Sequence, residues 1–463
     1  MVANSNVFDL HEDSVGQLGH NRPPSLDYDQ EKYLEKDGHH DASGDAFGNE
    51  EFAEVKYKVL TWWQCGLLMV AETVSLGVLS LPAAVATLGL VPAIILLLGL
   101  GILATYTGYV IGQFKMRYPH VVNMADAGEI IAGSIGREVV GAGQLLFMVF
   151  IMGSHLLTFT VAMNSVTNHG TCTIVFGVVG LIASFICNIP RTMTKISWLS
   201  LISFISIIAA VLTCMISLGI QKPGSGHVDV TTSPDFISAF SAVMNIVFAF
   251  AGHVAYFGFI AELKDPNDFP KALCLLQATD NALYLIAAVV IYRYAGVDVK
   301  SPALGSSSPI MQRISYGVAL PTILIAGVIY GHVSCKYIYL RLWKGTDRIH
   351  KRDFVAVSSW LAIGLVLWTI AWIIAEAIPV FSNLLSLITA LFGSWFTYGL
   401  SAIFWLFMNK GVYFSSKRKI FLTLVNIGTV GLCLTLCGLG LYVSGKAIHD
   451  DSGSKSFSCA NNA

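Results

Sequence analysis

Long stretches of uninterrupted apolar residues constrain this chain more than any other feature. They lie at approximately 62–88, 91–114, 138–166, 172–189, 196–220, 236–261, 273–295, 313–336, 355–378, 380–408 and 420–444. A helix needs roughly 20 such residues to cross a hydrocarbon core about 30 Å thick, so the pattern predicts eleven crossings. Barrel strands would show ~10-residue alternation instead, and these runs do not alternate. Hydrophobic residues make up 54% of 463 and charged residues 12%, too little charge to clothe a water-facing surface. The expected fold class is an all-α polytopic membrane protein. The joins at Gly89-Leu90 and around Pro379 are short enough to make their flanking runs antiparallel neighbours.

Residues 1–55 form the long polar stretch, exemplified by DGHHDASGDAFGNEE at 37–51. Such a segment cannot bury enough apolar area to offset the entropy of ordering, so a disordered cytoplasmic tail is expected. Lys32, Lys36, Lys56 and Lys58 offer attachment points for regulatory modification there; an inert solvated tail is the plainer reading. No apolar core follows Met1, so no cleavable signal peptide is expected. A transmembrane domain is expected over 56–445 and a short external tail over 446–463. The net charge of −1 and the lack of a dense basic tract argue against a nucleic-acid partner. Nine cysteines are scattered, most within apolar runs (Cys65, Cys187, Cys214, Cys274, Cys335, Cys433, Cys437), without CxxC or metal-ligand spacing. They read as small core residues, and neither metal nor cofactor is expected.

Basic residues set the orientation. Twenty-two of the 28 Lys and Arg residues fall on the N-terminal tail and the alternate connections sharing its side, including the basic connection at 336–353. Positive loops stay cytoplasmic, which places the N-terminus inside and the C-terminus outside. The segment HVVNMADAGEIIAGSIG (120–136) is too polar to span, yet carries apolar positions at Val122, Ala125, Ile130 and Ile131. It reads as a surface helix on the cytoplasmic side, with a plain connecting loop as the alternative.

Function is signalled where the runs are imperfect. The first run, AETVSLGVLSLPAAVATLG (71–89), places Ser75, Gly77, Ser80 and Pro82 in mid-membrane. Pro82 removes a backbone donor and Gly77 relaxes the helix, so a break into two half-helices is expected. The sixth run, VFAFAGHVAYFGFIAEL (247–263), carries Gly252 and Gly258 around His253. Interrupted spans at matching places in two halves point to a midplane substrate site between inverted repeats. The bland reading is that small residues simply let membrane helices approach closely.

These residues carry a resemblance. SLGVLSLP (75–82) is similar to the G-x-x-x-L-P signature that opens the amino acid/auxin permease family, within the amino acid–polyamine–organocation superfamily. FAFAGH (248–253) with AELKDPNDFPKAL (261–273), and YPHVVNMADAGEIIAGSIG (118–136), also resemble that family, so similarity covers about 55–445. Fungal plasma-membrane permeases for neutral and aromatic amino acids are the nearest kind. The resemblance implies a 5+5 inverted-repeat, LeuT-like core with broken helices 1 and 6 plus one extra helix, and import of an amino acid from outside the cell; a vacuolar location is the alternative.

A zwitterion in a low-dielectric site needs partners for both termini. Free N–H groups near Leu79 and Ser80, at the start of an outer half-helix, would face the carboxylate. Carbonyls of Val74, Ser75, Phe248, Ala249 and Phe250 would accept from the ammonium, with Gly77 and Gly252 allowing close approach. Neither break holds Lys, Arg, Asp or Glu, which argues for neutral side chains. Phe248, Phe250, Tyr256 and Phe257 are candidates to shape the pocket, or are ordinary core.

Ionisable residues inside spans cost roughly 2.5–3.5 kcal/mol each on insertion scales and so are functional candidates. For proton coupling the order of preference is Glu72, then His253 and Asp280, because a carboxylate in an apolar site can cycle a proton. His155 and His332 also fall within spans, while Glu262 and Glu376 lie near span ends. Sodium coupling is the rival and would draw on Thr322 and Ser334. A channel lacks a filter-like element, and no enzyme constellation such as HExxH is present, so an enzyme is not expected. A non-transporting amino acid sensor on the same fold remains open.

Overall fold

The computed structural model describes residues 56–224, 226–351, 353–450 and 455–462. The tail expected at 1–55, with Lys32 and Lys36, lies outside them. The helices in chain order are α1 (Trp62–Leu88), α2 (Leu90–Arg117), α3 (Met124–Thr167), α4 (Thr173–Cys187), α5 (Met193–Gln221), α6 (Phe236–Ala249), α7 (Tyr256–Glu262) and α8 (Phe269–Ala295). They continue with α9 (Pro309–Leu342), α10 (Phe354–Ala377), α11 (Phe381–Ile388), α12 (Leu400–Met408) and α13 (Lys417–Asp450). Among the described residues ten segments are long and apolar enough to cross a membrane, α6–α7 and α11–α12 each making one. The fourth run forms a shorter apolar helix of 15 residues. Among the described residues the fold is all-α, with one isolated parallel bridge between Leu60 and Leu263.

Local chemistry fixes the helix ends. α1 opens on a capping box in which the Thr61 amide donates to Gln64 Oε1 at 3.0 Å. Gly89 ends α1 and begins α2 at φ 85°. A Cβ there would lie 2.6 Å from Thr231 Cα, so both conformation and space demand glycine. Asn123 caps α3 by accepting from the Asp126 amide. At Ala132 and Gly133 the backbone leaves helical geometry, with Gly133 at φ 64°. The segment ahead of the third span is therefore helical, as expected, and bent from it.

Packing sorts the helices into a centre and a rim. The most apolar stretch of α1 is 94% buried and that of α6–α7 is 89% buried, against 28% for α13. α1 packs mainly on α8 and α6, while α9 packs on α3 and α5. Rim helices present side chains such as Ile102, Ile220 and Leu424 outward, as lipid-facing positions should.

Three expectations need correction. The first span does not break: α1 runs unbroken through Gly77 and Pro82. Pro82 leaves the Val78 carbonyl without its helical donor, and one turn-internal bond beside it is Ser80 Oγ donating to Gly77 O at 2.9 Å. Gly258 is no break either, since it lies inside α7; the interruption of the sixth span is at Phe250–Ala255. Finally, not all cysteines are core residues: Cys172 and Cys459, 287 positions apart, form a disulfide.

Candidate functional site

The expected residues of the first and sixth spans do meet. A Cβ on Gly77 would lie 3.0 Å from Ala249 Cα and 2.8 Å from the Tyr284 hydroxyl. One on Gly252 would lie 2.5 Å from Thr73 Cγ2 and 3.7 Å from Glu72 Cδ. Both glycines are thus contact points between helices, where any side chain would push the spans apart.

α6 stops at Ala249, and a single 3₁₀ turn over His253–Ala255 leads into α7. A bond from a neighbouring helix and a local turn bond replace the lost helical ones. Tyr284 Oη donates to Ala249 O at 2.7 Å, and Ala251 N donates to Phe248 O at 2.9 Å. His253 Nε2 lies 2.9 Å from Ala104 O and 3.1 Å from Thr107 Oγ1 on α2. A nitrogen facing a carbonyl must carry the proton, so this ring is held as a donor by α2 and stacks on Tyr256.

The carboxylates behave differently. Thr73 Oγ1 donates to Asp280 Oδ2 at 3.0 Å, joining α1 to α8, while Asp280 Oδ1 has no hydrogen bond. Glu72, one residue earlier on α1, makes no well-formed hydrogen bond through either oxygen. Glu72 and Asp280 are 3% and 1% exposed, and the Tyr256 and Tyr330 side chains neighbour Glu72. Among the described residues, neither carboxylate has an ion-pair partner. The geometry therefore joins Glu72, Thr73, Gly77, Ala249, Gly252 and Asp280 in one buried region, with Tyr256, Tyr284 and Tyr330 around it.

Other candidates fall elsewhere. Val74, Ser75, Leu79 and Ser80 lie inside a continuous helix, whose amides and carbonyls are committed to each other; no outer half-helix start faces a carboxylate there. Ser75 Oγ turns to Thr322 O at 3.4 Å, and the Thr322 and Ser203 hydroxyls are 3.0 Å apart. Ser334 instead donates to Tyr330 O in its own helix. His155 bonds Ile323 O at 2.9 Å.

A second buried polar cluster surrounds Glu262, where the sixth span ends. Glu262, expected near an interface, is 1% exposed and ion-paired with Lys336 of α9. Lys336 Nζ also sits 4.2 Å from the Tyr57 ring centroid, a cation–π contact. Tyr57 Oη donates to Ile349 O at 3.1 Å, and burial pushes its phenol up to about 12, which keeps it a donor. The amides of Val59 and Leu60 donate to Glu262 O, and Lys264 N donates to Leu60 O. The segment entering α1 is thereby tied to the end of α7 and to the connection after α9. The visible signal was a charge at the end of each of two apolar runs; that they pair could not be read from their separation.

A buried, interrupted sixth span crossing a first span inside a rim of lipid-facing helices defines a multi-pass carrier of the LeuT-like fold. The crystal structure of MhsT in complex with L-phenylalanine has a similar fold, with a TM-score of 0.53 at 14% identity, covering 85% of this chain and 99% of that one. Residues 58–445 match the family described as "Transmembrane amino acid transporter protein", and the chain belongs to it. The "N amino acid transport system protein" of Neurospora crassa is 35% identical over 419 residues, 88% of this chain and 89% of that protein. A "Transmembrane transporter" of Fusarium pseudograminearum is 29% identical over 361 residues, 76% of each. "Amino acid transporter AVT1H" of Arabidopsis thaliana is 29% identical over 251 residues, 50% of this chain and 55% of that one.

Proposed function

We propose that the protein imports neutral aliphatic and aromatic L-amino acids by proton symport, through alternating access, across the plasma membrane. The observation that carries the coupling is the pair Glu72 and Asp280, buried beside the span 1–span 6 contact with no cation facing them among the described residues. Such a carboxylate takes up and releases protons as its surroundings alternate between dry and wet. The lack of Lys and Arg among the residues meeting at Gly77, Ala249 and Gly252 argues against acidic side chains, since a carboxylate would stay unpaired, and with Glu72 and Asp280 given to the proton it supports neutral ones. The inward-facing N-terminus is supported by the distribution of basic residues and by the Cys172–Cys459 bond, since disulfides persist on oxidising faces.

Uptake of labelled leucine and phenylalanine into proteoliposomes, under an imposed proton gradient, a sodium gradient or neither, tests this reading. Accumulation should follow the proton gradient. Accumulation requiring sodium would favour the rival reading, which the Ser75–Thr322–Ser203 cluster supports. Binding without accumulation would mean a sensor.

A further inference from the structure

The C-terminal segment 455–462 does more than end the chain. Ahead of it, the fourth span is short: 15 residues of α4 rise only about 22 Å, against a hydrocarbon core of about 30 Å. The segment seats where that helix starts. Cys459 is bonded to Cys172, the residue capping α4, and Thr173 Oγ1 donates to Ala460 O at 2.6 Å. The Asn462 side chain reaches α3, donating to Thr160 Oγ1 at 2.9 Å and accepting from Asn164 Nδ2 at 2.7 Å. Thr160 and Asn164 are 3% and 1% exposed. Asn164 also donates to Thr173 Oγ1 and bonds His169 Nδ1, so the network closes on itself. Further along, Phe457 N donates to Glu376 O at 3.1 Å and Ser456 Oγ to Ala377 O at 2.7 Å, at the end of α10.

We propose that residues 455–462 are a disulfide-latched brace joining the neighbouring ends of the third, fourth and ninth spans, and that reductive release of the brace slows transport. The third span is the partner on which both α9 and α10 pack, so loosening its end reaches the helices around the buried site. In the releasing step, a dithiol attacks one sulfur of Cys172–Cys459 and forms a mixed disulfide. Its second thiol then displaces the protein sulfur. Cys172 and Cys459 end as thiols, and the reductant ends as a cyclic disulfide.

The test uses purified full-length protein with dithiothreitol. Reduction should lower the melting temperature of the wild type by about 5 °C, and should cut amino acid uptake by reconstituted protein at least about twofold. Cys172→Ser and Cys459→Ser should start at the lowered values and show no further response. Because those variants risk failing to fold, Asn462→Ala provides a second reading; it keeps the disulfide but should lower the melting temperature by a smaller amount. Melting requires no transport, so a failed transport assignment would not imitate a failed brace. Maleimide labelling of Cys172 or Cys459 before reduction would overturn the proposal. So would unchanged melting after reduction, unchanged uptake despite lowered melting, or an equal response in the serine variants.

Discussion

The first and sixth spans carry the same sequence signal and fold differently. Each places small or helix-breaking residues in the middle of an apolar run, yet α1 continues through Gly77 and Pro82 while the sixth span leaves helical geometry at Phe250–Ala255. Proline is the stronger breaker by several-fold in cost, so residue propensity alone predicts the reverse. The difference lies in the partners available. Around the sixth span, Tyr284 takes the Ala249 carbonyl and α2 takes His253. Within α1, Ser80 folds back on the Gly77 carbonyl instead. In lipid, a helix breaks where neighbours can receive the freed groups.

The largest effect should come from the point where the two spans touch. Gly77→Leu is expected to abolish uptake while membrane abundance stays near normal, because its Cβ alone would already crowd Ala249 and Tyr284. Measuring uptake against surface-labelled protein checks this, and unimpaired uptake would remove the close contact from the mechanism. Next comes Glu72→Gln, which keeps the side-chain shape and removes the titrating group. Proton-driven accumulation should fall to background while counterflow exchange of internal for external amino acid persists. Loss of both together would make Glu72 a structural or substrate-contacting residue.

A third test concerns α7, the second half of the sixth span. α7 is held by the buried Glu262–Lys336 pair, and removing one partner of such a pair costs about 3–5 kcal/mol. Lys336→Met should therefore lower the melting temperature clearly. The double variant with Glu262→Gln should recover much of the loss, since no buried charge is then left alone. Equal instability of single and double variants would show that the pair is not what holds α7 in place.

How much of this was legible in the sequence follows the same physics. The spans were readable because crossing lipid requires a length of apolar chain that nothing else demands. The polar helix before the third span was readable from its apolar positions. Glu72 and Asp280 stood out because a carboxylate in an apolar run is costly wherever it sits. What could not be read was each group's partner. The pairing of Glu262 with Lys336, of Cys172 with Cys459, and of His253 with α2 joins positions 74, 287 and about 150 residues apart. Such separations are decided by packing, and no local pattern encodes them. The expected break in α1 failed for that reason too: Gly77 and Pro82 specify a weakened helix, and neighbours decide whether it parts.

The smallest effect should sharpen the comparison most. Gly252 and Gly258 are six residues apart in the same interrupted span, and both read alike in the sequence. A Cβ on Gly252 would meet Thr73 at 2.5 Å, whereas one on Gly258 would find its nearest neighbour, Val122 O, at 3.9 Å. Gly258→Ala should therefore leave uptake unchanged and stabilise α7 slightly, by about 0.5–1 kcal/mol from backbone entropy alone. Gly252→Ala should depress uptake by forcing α1 and the interruption apart. If both alanine variants transported normally, the contact between Thr73 and Gly252 would have no role in the cycle. If both failed, flexibility of the whole segment rather than close packing would be the property that the glycines supply.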